Sequence, residues 1–155
     1  KGYQNAYRLD INSEKLPFSD RSFKNTICLE VLEHLTDPIF ALAEINRVLK
    51  PNGRLIISVP NIGFICCRLS LLFGIFCDFH DFQLVPGHIR FYTIARMKII
   101  LQLTGFKVNK IYGNSLFSRN PVFIATKISN SYLTQHNYQQ ISGLKEALLN
   151  LGGFR

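Results

Sequence analysis

Short apolar runs, separated by polar and turn-rich segments, dominate the pattern of the chain. Runs that are rich in β-branched and aromatic residues are typical of strands buried in a sheet. Turn-forming stretches such as LPFSDRSF separate these runs. The pattern predicts strands over residues 5–11, 24–31, 54–61, 106–112 and 121–128.

Two other segments are predicted to be helices, and the first has the apolar spacing of three to four residues that is typical of an amphipathic helix. In the first, residues 39–50, Thr36 and Asp37 offer capping side chains and Pro38 suits the first helical position. The second, residues 93–105, begins with Thr93 as its predicted cap. The alternation of strands and helices, followed by a late strand pair, predicts an α/β fold with a largely parallel sheet and a late antiparallel strand.

The charge of the chain is unevenly distributed. The 155 residues carry a net charge of +8, and 47% of them are hydrophobic, which is enough for one domain with its own core. Residues 1–60 hold 8 basic and 7 acidic side chains, whereas residues 61–155 hold 10 basic and 3 acidic ones. This excess favours an anionic partner such as phospholipid or nucleic acid, although solubility alone explains it equally well.

The four cysteines lack the paired spacing of a zinc site, and each lies in an apolar run. We therefore expect buried thiols in a reducing compartment. The polar opening KGYQNAYRLD has no apolar segment of the kind found in signal peptides, so a cytoplasmic location is expected. The cysteines are Cys28, Cys66, Cys67 and Cys77.

Polar residues follow three consecutive predicted strands. Asp10 closes the first strand, the stretch CLEVLEHLTDP places residues 30–34 after the second, and Pro60 with Asn61 closes the third. Ligands of open α/β sheets bind where the carboxyl ends of the strands meet. A plainer explanation is that these are turn residues and a solvated first helical turn.

The segment LDINSEKLPFSDRSFKNTICLEVLEHLTDPIFALAEINRVLKPNGRLIISVPN, followed by GHIRFYT and LTGFKV, resembles the later part of a class I S-adenosylmethionine-dependent methyltransferase. The similarity runs from about residue 5 to residue 128. It implies a Rossmann-like fold in which Asp10 hydrogen-bonds the adenine amino group of the cofactor and Ile11 lines the adenine site. Glu30 and Val31 would then lie beside the methionine end.

The glycine-rich loop and the acidic residue with which this family holds its cofactor have no counterpart in the sequence. We therefore expect residues 1–128 to be the carboxyl-terminal portion of a methyltransferase domain whose amino-terminal part is missing, with an apolar insertion at 62–86. We interpret residues 129–155 as a linker followed by a short helical tail. A remnant without catalysis, acting as a binding module, is the alternative.

The stretch CLEVLEHL further resembles ubiquinone-biosynthesis O-methyltransferases and small-RNA 2′-O-methyltransferases, in which two glutamates and a histidine bind a divalent cation. The resemblance implies a metal site, for Mg²⁺, at Glu30, Glu33 and His34, with His88 or His80 as a further ligand. Alternatively, His34 or His88 acts as a general base. The predicted catalytic residues are accordingly Glu33, His34 and His88.

Residues 62–79, IGFICCRLSLLFGIFCDF, are almost uncharged. The segment is too interrupted for a membrane span, and it reads either as a core or lid helix or as an interfacial helix in peripheral contact with a bilayer. Its aromatic residues are not interleaved with basic ones, which argues against nucleic acid as a partner.

The sequence thus predicts S-adenosylmethionine-dependent methyl transfer to a small, lipophilic acceptor by an O-methyltransferase. The expected partners are the small-molecule acceptor and, through residues 62–79, a membrane surface. The alternatives are an enzyme like the RNA 2′-O-methyltransferases and the binding module without catalysis.

Overall fold

The computed structural model describes residues 6–75, 87–114 and 116–128. Its strands are β1 (Phe23–Leu29), β2 (Leu49–Ser58), β3 (Phe106–Tyr112) and β4 (Val122–Lys127). They form one sheet in the order β1-β2-β4-β3. Since β2 runs parallel to β1, and β4 runs antiparallel to both β2 and β3, three strands share a direction and β4 opposes them. This confirms the predicted α/β sheet with a late antiparallel strand.

Three α-helices connect the strands: α1 (Pro38–Val48), α2 (Ile65–Leu72) and α3 (Ile94–Leu103). A short 3₁₀ helix (Leu32–His34) follows β1. The side chain of Asp37 accepts a hydrogen bond from Phe40 N at 3.1 Å, and the hydroxyl of Thr93 accepts one from Arg96 N at 3.2 Å. Both predicted caps are therefore confirmed, and each satisfies a backbone donor that the helix itself leaves open.

The link from α1 to β2 is tight. Helix α1 ends at Val48 and β2 begins at Leu49, and Asn52 has a φ of 60° that turns the chain. A Cβ atom at Gly53 would lie 2.8 Å from Lys50 O and 3.1 Å from Lys24 O. Because both neighbours are backbone atoms that cannot easily move, this position requires glycine.

The core lies on one side of the sheet. Helix α1 contacts β2, and α3 contacts β3. A row across three strands joins Cys28, Ile57 and Phe123, all buried. The neighbouring row, on the opposite face because side chains alternate along a strand, joins Ile27, Ile56 and Ile124. Ile27 in that row is 66% exposed.

The prediction of a strand at residues 5–11 is wrong for residues 6–11, the part of this range that the structure describes. The carboxylate of Asp10 accepts a hydrogen bond from Asn12 N at 3.0 Å, and Asp10 O accepts one from Glu14 N at 2.8 Å. A local turn therefore satisfies the backbone groups that a strand would have paired with a neighbour. Asp10 belongs to this turn and does not end a strand.

The described part of the apolar segment, residues 62–75, contains one short helix, α2, which is not a core helix. Only Cys67 among its residues is buried. Leu72, the last residue of the helix, is 78% exposed, and Phe73, which follows it, is 79% exposed. Cys66 is exposed, which corrects the expectation that it is buried, whereas Cys28 and Cys67 are buried as predicted. No helix among the described residues is long and apolar enough to cross a membrane. Residues 76–86, with Cys77, and the predicted tail at 129–155 lie outside the described residues.

Candidate functional site

The carboxyl ends of β1 and β2 lie side by side. Glu30, the residue after β1, donates its backbone N–H to Ser58 O at the end of β2, at 3.2 Å. Because β4 runs the opposite way, the residues that precede it, including Asn120, reach the same edge of the sheet. Polar groups that are distant in sequence therefore meet at one edge.

Glu30 is bound to two of these neighbours. Its carboxylate accepts hydrogen bonds from Ser58 Oγ at 2.5 Å and from Asn120 Nδ2 at 2.7 Å. Its φ of 52° lies in the left-handed region, which costs a non-glycine residue about 1–2 kcal/mol. Glu30 therefore does not continue into the 3₁₀ helix, and its side chain lies with β2 and the loop before β4.

Glu33, His34 and His88 form a cluster in which one potential ligand atom of each residue lies within 4.8 Å of the others. Nε2 of His34 is 3.9 Å from Oε1 of Glu33, and the His34 and His88 rings have centroids 5.0 Å apart. Glu33 is fully buried, whereas the side chain of His34 is 43% exposed. The cluster therefore has a buried carboxyl end and an open imidazole end.

The cluster differs from the predicted metal set of Glu30, Glu33 and His34. The structure adds His88, which the sequence offered only as a further ligand, and places Glu30 elsewhere. The prediction assumed that a helical turn begins early enough to align Glu30 with the other two. The left-handed backbone at Glu30 prevents that alignment.

Two titratable groups beside the cluster are held neutral. Burial raises the pKa of the Cys28 thiol to about 11, and the charge of Glu33 raises it further. Burial likewise raises the pKa of the Tyr92 hydroxyl to about 12, with Arg90 opposing the shift and Glu33 adding to it. Neither the Cys28 thiol nor the Tyr92 hydroxyl therefore contributes charge at neutral pH.

The other predicted cofactor-binding residues lie in two adjacent segments. Asp10 is exposed. Its carboxylate accepts a hydrogen bond from the backbone N–H of Asn12, and this bond holds the pKa of the carboxyl below its usual range. Asn12 Oδ1 in turn accepts from Thr36 N at 2.8 Å, which joins this turn to the loop after the 3₁₀ helix. Ile11 and Val31 are half-buried against the core.

Ser58, Arg90 and Asn120 stand at this edge although the sequence did not indicate them. Ser58 and Asn120 bond Glu30, and Arg90 donates to the loop after the 3₁₀ helix. Arg90 could have been found, because it lies in the GHIRFYT motif beside His88. The sequence around Asn120 gives no indication of its role, because its partner, Glu30, is 90 positions away in the sequence.

The strand order and the α-helical crossover between two parallel strands define a Rossmann-like α/β fold. In folds of this kind, ligands usually bind at the edge where the carboxyl ends of the strands meet. Residues 3–57 match the family described as "Methyltransferase domain". The chain belongs to the class I S-adenosylmethionine-dependent methyltransferases.

Curated relatives agree with this family. A "probable S-adenosylmethionine-dependent methyltransferase" of Mycolicibacterium smegmatis is 32% identical over 109 residues, which are 68% of this chain and 38% of that protein. A ubiquinone biosynthesis O-methyltransferase of Alkalilimnicola ehrlichii is 39% identical over 82 residues, 52% of this chain and 31% of that protein. The chain thus spans well under half the length of these relatives.

Solved structures agree with the fold. A methyltransferase of this class from Methanosarcina mazei superposes with a TM-score of 0.56 at 23% identity, over 79% of this chain and 66% of that one. One from Aquifex aeolicus gives 0.55 at 17% identity, over 80% and 55%. At these identities the likeness concerns the architecture.

Proposed function

We propose that this chain supplies the acceptor side and part of the cofactor pocket of an O-methyltransferase that acts on a small, lipophilic acceptor. The observation that carries the proposal is the cluster of Glu33, His34 and His88 at the same sheet edge as Glu30. S-adenosylmethionine, when bound, supplies an electrophilic methyl group. The task of the protein is then to orient an acceptor oxygen toward that group and to exclude water.

Asp10, Ile11, Glu30 and Val31 are proposed to contact the cofactor. Asp10 suits an amino group as partner because its lowered pKa keeps it an anionic acceptor. An ionised carboxylate has about four acceptor sites. Asp10 accepts three hydrogen bonds, from Asn12 and Ser13, and Glu30 accepts two, from Ser58 and Asn120. Each carboxylate therefore keeps at least one acceptor site for a ligand.

The cluster is proposed to hold a divalent cation. A bound cation lowers the pKa of a hydroxyl that it contacts, which makes the oxygen a better nucleophile. The donor set of one carboxylate and two imidazoles suits Zn²⁺ or Mn²⁺ better than Mg²⁺, which prefers oxygen ligands. Glu33 would supply the buried ligand, and His34, which is exposed to solvent, would face the incoming acceptor.

A general-base role for His34 is the second candidate. The carboxylate of Glu33, 3.9 Å from Nε2 of His34, would stabilise the imidazolium that forms when His34 takes the acceptor proton. The two candidates differ in their need for a cation. Activity that persists after metal removal would favour the base.

The lipophilic acceptor and a peripheral membrane contact are proposed from helix α2. It presents apolar side chains to solvent although it lies at the end of the sheet where the loops gather. Such a surface is suited to contact either a lipophilic acceptor or the interface of a bilayer. The relative described as a ubiquinone biosynthesis O-methyltransferase supports this choice of acceptor. The exposed apolar residues are Leu69, Leu71, Leu72, Phe73 and Ile75.

The cofactor part of the proposal is tested by calorimetric titration of the chain with S-adenosylhomocysteine, with and without Mg²⁺, Mn²⁺ or Zn²⁺. Binding in the micromolar range is the expected result. Absence of binding would mean that these residues alone do not form a sufficient pocket, and the titration would then be repeated on the full open reading frame.

The cation part is tested in the full open reading frame that contains this sequence. Glu33→Gln should abolish methyl transfer and metal binding together, because the buried anionic ligand is lost. Activity of the unaltered enzyme should disappear in chelator and return with metal. Full activity in chelator would contradict the cation and leave His34 as base.

A further inference from the structure

The segment that carries His88 is not part of a helix or strand. Residues 87–91 form no regular structure, so no backbone ladder fixes the imidazole of His88 near Glu33 and His34. Yet the His88 and His34 rings lie 5.0 Å apart. Some other set of contacts must place this segment.

The two residues after His88 make those contacts. The backbone N–H groups of Ile89 and Arg90 both donate to Glu33 O, at 3.0 and 3.1 Å. The guanidinium of Arg90 donates through Nε to Leu35 O at 2.8 Å and through Nη2 to Thr36 O. Arg90 therefore bonds three carbonyls of the turn that carries the other two members of the cluster.

The hydroxyl of Tyr92 adds an anchor on the other side. It is buried and donates to Leu32 O at 3.2 Å. Together, Ile89, Arg90 and Tyr92 engage the carbonyls of residues 32, 33, 35 and 36, so the two segments are joined along the whole 3₁₀ turn.

We propose that Arg90 is a positioning residue that holds His88 beside Glu33 and His34. The inference rests on the proposed function of that cluster. Arginine suits the task because its planar guanidinium donates in two fixed directions at once, whereas a lysine ammonium at the end of a flexible chain would reach only one carbonyl well. Its positive charge also faces the carbonyl end of a helical turn, where a cation is favourable.

The first test needs no metal. In the 155-residue chain, nuclear Overhauser contacts between the ring protons of His34 and His88 report the placement directly, because rings 5.0 Å apart lie within range. We expect the contact in the unaltered chain and in Arg96→Met, a matched control on the exposed part of α3. Arg90→Met should lose the contact, and Arg90→Lys should weaken it.

A contact that survives in Arg90→Met would overturn the proposal, and so would its absence from the unaltered chain. Circular dichroism and the urea midpoint show whether each variant is folded. If Arg90→Met does not fold, Arg90→Lys decides, because it keeps the charge and loses the second directed bond. An unchanged His34–His88 contact in that variant would then overturn the proposal.

The second test uses Co²⁺, whose visible absorption reports nitrogen ligation. We expect Arg90→Met to weaken Co²⁺ binding by about 10- to 100-fold, the usual effect of losing a group that orients a metal ligand. Arg96→Met should bind as the unaltered chain does. If the unaltered chain binds no Co²⁺ while the ring contact still depends on Arg90, the proposed cation site fails and the positioning role stands. If Co²⁺ binds equally in all variants, the positioning role fails and the cation site stands.

Discussion

The guanidinium of Arg47 donates two parallel hydrogen bonds to the carboxylate of Glu44, from Nε to Oε1 at 2.9 Å and from Nη2 to Oε2 at 2.8 Å. The same guanidinium donates to Leu16 O and Phe18 O, and Glu44 accepts from Leu16 N at 3.0 Å. A single pair on α1 thus holds the LPFSD segment against the helix. Burial by itself would raise the pKa of the Glu44 carboxyl, but its bonds with Arg47 and Leu16 leave it lowered.

Arg47→Met should destabilise the chain strongly, by about 3–5 kcal/mol, because it leaves the buried carboxylate of Glu44 without its counter-charge. Urea unfolding at pH 7 measures the loss. Arg54→Met, at an exposed position on β2, is the control and should change stability by less than about 0.5 kcal/mol.

The same variant should show a distinct pH dependence. Since the folded-state pKa of Glu44 is lowered, its stabilising effect is present above the ordinary value of 4.5 and is lost as the pH falls through the folded-state pKa. The stability gap between Arg47→Met and the unaltered chain should therefore narrow as the pH falls below 4.5. Asp20, whose carboxyl pKa is also lowered by its hydrogen bond with Arg47, should add to this narrowing below its ordinary value of 3.8. A gap that stays constant down to pH 3 would show that neither Glu44 nor Asp20 is responsible for the lost stability.

Gly53→Ala should destabilise the link between α1 and β2 by about 1–3 kcal/mol, because the new methyl group meets two backbone carbonyls. Gly87→Ala is the matched control, since a Cβ there meets nothing within 4 Å. Thermal unfolding of the two variants should separate them by several degrees. Equal midpoints would contradict the tight contact at Gly53.

The thiols should differ in reactivity. In a Cys77→Ser background, one thiol per chain, that of Cys66, should react rapidly with a disulfide reagent at pH 8, because it is exposed. Cys28 should stay protected until unfolding, since burial and the charge of Glu33 raise its pKa to about 11. Loss of the fast phase in Cys66→Ser would confirm the assignment, and a fast phase that remains would refute it.

Asp10→Asn should weaken S-adenosylhomocysteine binding by about 10- to 100-fold if Asp10 accepts a hydrogen bond from the cofactor, because a bond to an ionised acceptor is worth about 1.5–3 kcal/mol. Calorimetric titration measures the change. Glu14→Gln, which removes an exposed carboxylate four residues away, should leave the affinity unaltered. Equal losses in both variants would indicate a general charge effect.

Local signals predicted the regular elements well, because helix caps and strand patterns depend on neighbours in sequence. Asp37 and Thr93 cap their helices as predicted. The strand expected at Asp10 failed because the hydrogen bonds that the Asp10 side chain makes with Asn12 and Ser13 favour a turn over a strand.

The arrangement of the site was predicted less well, because it depends on distant partners and on one unusual backbone angle. The spacing of Glu30, Glu33 and His34 suggested a shared helical face, but the left-handed φ at Glu30 removes it from that face. The contacts of Asn120 with Glu30 and of Arg90 with Leu35 join segments 90 and 55 positions apart. No local periodicity encodes such contacts.

The row of Ile27, Ile56 and Ile124 has a consequence for how the chain behaves in solution. Ile27 lies on β1, which is at the edge of the described sheet, and its side chain is mostly exposed. An exposed apolar row that reaches the edge strand of a sheet favours association with a second molecule, either by packing on the row or by pairing with the strand. At low ionic strength the net charge of +8 keeps molecules apart, but salt shortens the range of that repulsion and leaves the attraction intact. Purified chain should therefore stay dispersed in dilute buffer and self-associate as salt is added, the reverse of the behaviour of a protein held together by ion pairs.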